Sequence, residues 1–60
     1  MKFIYGKSKT DTGFKAMNIN MGVRVKKLQY ATRIPDNEVN EVLQQLQEDK
    51  PEWEFKIKRI

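Results

Sequence analysis

Apolar and polar positions divide this chain into stretches of two different periods. In PDNEVNEVLQQLQEDK, residues 35–50, Val39, Val42, Leu43 and Leu46 keep the i, i+3, i+4, i+7 spacing of one helical stripe. Pro35 suits the entry, Asp36 or Asn37 can cap free backbone N–H groups, and Glu38 suits the positive end of the helix dipole. Lys50 falls in or just past the last turn, and Pro51 ends the helix. Glu41 and Glu48 point away from the apolar stripe.

The pattern then changes to period two. In WEFKIKR, Trp53, Phe55 and Ile57 face one way and Glu54, Lys56 and Lys58 the other, which predicts a strand with one buried face. Ile60 falls out of this register, and the strand is expected to fray there. Upstream, VRVKKLQYATRI holds two alternating halves, Val23/Val25 and Leu28/Tyr30, offset by one residue at Lys26-Lys27. A β-bulge there restores a single apolar face, because a slip of one residue otherwise reverses every later side chain.

KFIY predicts a short N-terminal strand. GFKAMNINMG is ambiguous, with Lys15, Met17, Ile19 and Met21 on one parity and Phe14 and Ala16 on the other; it is read as a strand followed by a turn near Met21-Gly22. The expected fold is a small two-layer α+β domain, β-β-β-α-β, with a mostly antiparallel sheet and one amphipathic helix across one face. Strand order stays open: the last strand either enters beside the third through a right-handed crossover or lies antiparallel to another neighbour.

Sixty residues make one domain, 1–60, with a thin core, since a chain of this size buries only about 60% of its unfolded surface. Neither cysteine nor histidine is present. That excludes a disulfide scaffold, a thiolate metal or redox site and imidazole base catalysis, and it argues against structural zinc. No cofactor is expected. No apolar run approaches the ~20 residues that span a bilayer, and MKFIYGKSK lacks the apolar stretch of a signal peptide. The expected location is the cytoplasm, without membrane contact.

The net charge of +4 conceals a sharp division. Residues 1–33 carry eight Lys/Arg and one acid; residues 34–54 carry one Lys and seven acids; the last six residues add three cations. A basic face and an acidic face can therefore coexist, and local fields steer partners.

The stretch IYGKSKTDTGFK, residues 4–15, raises a phosphate-binding question, because Gly6-Lys7-Ser8 matches the tail of G-x-x-x-x-G-K-[ST]. The first glycine of that motif is missing, since Met1 occupies its position, and KTDTG after Ser8 has no helical character. The nucleotide-triphosphatase reading fails. What remains is a polar hairpin connection whose Lys7, Lys9 and Lys15 flank hydroxyls able to touch a nucleic-acid backbone.

With the bulge in place, Arg24, Lys26, Lys56 and Lys58 stand on the sheet face opposite the helix, near Gln29, and form a footprint for a polyanion. The competing reading is a solvated surface whose lysines discourage edge-to-edge aggregation. Phe3 and Tyr5 share a parity: turned inward they are core, turned outward beside Lys56 and Lys58 they are a stacking platform. Trp53 is expected to pack over the helix's C-terminal turn near Leu46. The helix exposes Glu38, Glu41, Glu48 and Asp49, which phosphates repel, so it is not a groove-reading helix.

No pair of carboxylates has a spacing that demands a joint role, so an enzyme is not expected and no small-molecule substrate is evident. The leading expectation is a binding domain that contacts nucleic acid through Lys7, Lys9, Lys15, Arg24, Lys26, Lys27, Lys56 and Lys58, with Tyr5 or Tyr30 stacking. The alternative is a protein-interaction module, most simply a homodimer, that uses an exposed sheet edge and opposed charged faces.

Overall fold

The computed structural model describes residues 1–59; Ile60, and the fraying expected there, lie outside the described residues. Four strands, β1 (Lys2–Lys7), β2 (Lys15–Asn18), β3 (Val23–Arg24) and β4 (Glu54–Arg59), form one antiparallel sheet in the order β3-β2-β1-β4. One helix, α1 (Val39–Asp49), precedes β4. The α+β class and the strand–helix–strand order agree with the sequence pattern, and the last strand lies antiparallel beside β1.

β1 is the central strand, which explains its nearly unbroken apolar stretch. Ile4 pairs with Ile57 and Gly6 with Phe55, on the face that meets the helix. Phe3 pairs with Lys58 and Tyr5 with Lys56, on the face that does not. Both faces are drawn from water: Phe3 is 6% exposed and Ile4 1%. The core joins Ile4, Met17 and Ile34 to Val39 and Leu46 of α1, with Val42, Leu43, Trp53 and Phe55 packed around it. Burying an aliphatic side chain of this size contributes about 1.5–3 kcal/mol, so these few residues carry much of the stability.

Two expectations need correction. The helix begins at Val39, later than expected, because residues 36–38 form a turn closed by Glu38 N–H to the Pro35 carbonyl at 2.9 Å. Neither Asp36 nor Asn37 caps it: Glu38 is the N-cap residue, without a side-chain cap bond, and Asp36 instead meets the N-terminal ammonium at 3.3 Å.

The third strand is also far shorter than VRVKKLQYATRI implied, and there is no bulged continuation. After Val25 N–H bonds the Ala16 carbonyl at 2.8 Å, the chain leaves the ladder and makes a 3₁₀ turn at Leu28–Tyr30. It returns at Thr32, which donates to the Met17 carbonyl, and at Ile34, which exchanges two backbone bonds with Lys2. Leu28 and Tyr30 are 49% and 57% exposed, so their alternation marks no buried face. Among the described residues no helix is long and apolar enough to cross a membrane.

Candidate nucleic-acid interface

The sheet face away from α1 carries Phe3 and Tyr5 from β1, Ala16 and Asn18 from β2, and Glu54, Lys56 and Lys58 from β4, as the registers require. Its Asn18 end is roofed. Asn18 shares the face of Ala16, and its Nδ2 donates to the Tyr30 carbonyl at 3.0 Å, so the 25–31 crossover passes over this end of β2. Phe3 lies beyond the last β1–β2 pair, Tyr5 with Ala16, where the 32–34 segment bonds both Met17 and Lys2, and it is buried there.

The other end is open. Lys58, placed opposite Phe3, leans diagonally so that Nζ stands 4.7 Å from the centroid of the Tyr5 ring. Lys56, opposite Tyr5, reaches across β1 to hold Nζ 4.3 Å from the Phe14 ring. Tyr5 and Phe14 are half-buried, while both lysines are exposed. Exposed ammonium groups over such rings gain about 0.5–1 kcal/mol, enough to hold an arrangement that a stronger stacking partner can displace. Lys7 follows on the same face, with Nζ 3.4 Å from Glu54 Oε2. Phe14 was not among the residues selected from the sequence; its parity, opposite to that of Met17, was the available signal.

The remaining candidates separate. Lys26, Lys27 and Tyr30 lie exposed in the crossover that bridges this face. Lys9 sits in the β1–β2 connection, paired with Glu52 at 3.3 Å. Arg24 is not on this face, contrary to expectation. It pairs with Met17 in the β2–β3 ladder, which turns it to the helix side, where it meets Asp11 and lies 4.8 Å over the Trp53 ring. Lys15, opposite Gly6, also belongs to the helix side.

The glycine-lysine-serine stretch has no vacant cradle for phosphate. Ser8 N–H donates to Asp11 Oδ2 at 2.7 Å, Asp11 N–H returns to the Ser8 carbonyl at 3.2 Å, and the Ser8 and Thr10 hydroxyls share a bond of 3.2 Å. An internal carboxylate thus takes the Ser8 N–H that a phosphate would need. No protein-family model, curated protein or solved structure matches this chain.

Proposed function

We propose that this domain binds single-stranded nucleic acid on the open end of the sheet, with Tyr5 and Phe14 stacking bases and Lys56, Lys58 and Lys7 neutralising phosphates. The observation that carries this reading is the interleaving of two half-buried rings with two lysines that have no ion-pair partner among the described residues, on a face the helix leaves free. Every base has a π-face, so such a platform is tolerant of sequence, and each stacked base contributes about 1–3 kcal/mol. Rings lying flat on a sheet need unpaired bases, which favours a single strand over a duplex. Lys26, Lys27 and Tyr30 extend the track along the crossover. When a base takes the ring, Lys58 and Lys56 swing from aromatic to phosphate.

The test is fluorescence anisotropy with labelled single-stranded DNA, duplex DNA and RNA at low and near-physiological salt. Single strands bind and the duplex binds more weakly. Lys56→Glu with Lys58→Glu weakens binding while circular dichroism stays unchanged. For Lys56→Gln with Lys58→Gln the salt slope falls by about 1.4, two contacts at roughly 0.7 each. Unchanged affinity in the folded double variants rejects the proposal.

A second reading, self-association, draws on β4. Six residues long, it lies at the sheet edge with one side of its backbone unpaired, a template for another strand. Sedimentation at high dilution separates the two readings: a strict monomer at every concentration removes this one.

A further inference from the structure

On the helix side of the sheet, away from the platform, an open cleft of about 330 Å³ lies between the β2–β3 turn and the α1–β4 connection. Its walls bring together three cations, Lys15, Arg24 and Lys50, around Trp53. Arg24 and Lys50 hold their charged groups 4.8 and 5.0 Å from the Trp53 ring centroid. No carboxylate lines the cleft. Asp11 pairs with Arg24, so the uncompensated charge of the cleft comes from Lys15 and Lys50; Glu52 is held by Lys9 and Glu54 by Lys7. Among the described residues, Lys15 and Lys50 have no ion-pair partner. The C-terminal end of α1 adds partial negative charge, which Lys50, at the C-cap, offsets.

A second, mainly apolar groove of about 280 Å³ adjoins this cleft, and Gly22 and Lys50 line both. Ile19, Val42 and Leu46 form its apolar walls. Asp49 stands at its lip, where Oδ1 accepts from Gln45 Nε2 at 3.2 Å. Gly22 can occupy the junction because its φ of 67° suits a residue without Cβ. A cationic cleft beside an apolar groove suits one ligand chemistry: a charged oxyanion head joined to an apolar body.

We infer that the cleft and the adjoining groove together are a binding site for a small amphiphilic anion, with its phosphate or carboxylate head at Lys15 and Lys50 beside Arg24 and its hydrocarbon part against Ile19, Val42 and Leu46. The site is independent of the nucleic-acid platform, which occupies the other face. Charge-assisted hydrogen bonds hold the head, and removal of apolar surface from water holds the body.

Trp53 is the sole tryptophan and reports on the cleft directly. Its emission is followed while n-hexyl phosphate, hexanoate, inorganic phosphate or hexanol is added at constant ionic strength. Hexyl phosphate gives a saturable change at a concentration at least about tenfold lower than inorganic phosphate, as burial of two methylenes supplies; hexanol gives none. The hexanoate arm separates a carboxylate from a phosphate source. Lys15→Gln with Lys50→Gln, both partly or fully exposed positions, abolishes the response while circular dichroism is unchanged. Gln45→Tyr, which fills the groove from an exposed position, weakens hexyl phosphate but leaves inorganic phosphate as it was. The inference is overturned if no anion gives a saturable response, if hexyl and inorganic phosphate titrate alike, or if the folded lysine variant responds as the parent does.

Discussion

Gly6 lies beneath the sulfur of Met17 so closely that a Cβ added at Gly6 would stand 2.8 Å from Met17 Sδ, and 3.4 Å from atoms of both Phe55 and Trp53. The glycine that suggested a phosphate loop is therefore demanded by packing between the sheet and its aromatic cover. Gly6→Ala forces the buried Met17 side chain to shift and destabilises by about 1–3 kcal/mol, more than the ~0.5–1 kcal/mol an alanine gains in backbone propensity. Gly13, with nothing within 4 Å of an added Cβ, is the control. Gly13→Ala shifts stability by no more than about 0.5 kcal/mol. Denaturant midpoints decide the matter: equal values for the two variants refute the packing account.

The same centre shows what the sequence could and could not disclose. α1 and β4 were legible because their periods of 3.6 and two survive in the pattern, although on β4 only Phe55 is partly covered and Ile57, expected to be buried, is 37% exposed. β1 conceals its orientation because Phe3 and Ile4 are both buried on opposite faces; parity carries no information when both faces are covered. The 23–34 segment misleads for the converse reason. Leu28 and Tyr30 alternate as a strand would, yet they are exposed in a 3₁₀ turn, and the contacts that place them are backbone and Asn18 bonds that no hydropathy pattern records. Arg24 went to the wrong face with it. Lys56 and Lys58 were placed correctly because β4 keeps a strict register.

Leu46 is the α1 residue that reaches deepest near the helix's end, at 6% exposure. It contacts the core at the edge of the apolar groove, so its truncation leaves a cavity as well as losing transfer energy. Leu46→Ala costs about 2–5 kcal/mol. A chain of this length has only about 3–9 kcal/mol in total, so the variant is largely unfolded on mild warming. Thermal melts followed at 222 nm check this; a Tm within a few degrees of the parent contradicts the assigned core.

Phe14 separates stacking from charge. Phe14→Leu keeps apolar bulk over Ala16's face but removes the ring beneath Lys56. Single-strand affinity falls by about 1–3 kcal/mol, fivefold to over a hundredfold, while the salt slope is unchanged because no phosphate contact is lost. The lysine variants do the reverse and flatten that slope. Anisotropy titrations at four salt concentrations distinguish the two behaviours, and a Phe14→Leu protein that binds as the parent does removes this ring from the site.

Glu54 is the β4 carboxylate on the platform face, and it holds Lys7 at 3.4 Å with its own side chain 68% exposed. So exposed a pair contributes at most about 1 kcal/mol to stability, but it withholds a cation from the phosphate track and repels the strand itself. Glu54→Gln therefore tightens nucleic-acid binding and steepens the salt dependence by about 0.7, one released phosphate contact, with melting nearly unchanged. This is the opposite sign from the lysine substitutions one and two side chains along the same strand face. A gain of affinity from loss of a carboxylate is not expected from generic destabilisation, which lowers binding whatever its origin. If Glu54→Gln leaves affinity and slope unmoved while Lys56→Gln with Lys58→Gln reduces both, the strand passes over Lys56 and Lys58 without reaching Lys7, and the track ends at Tyr5.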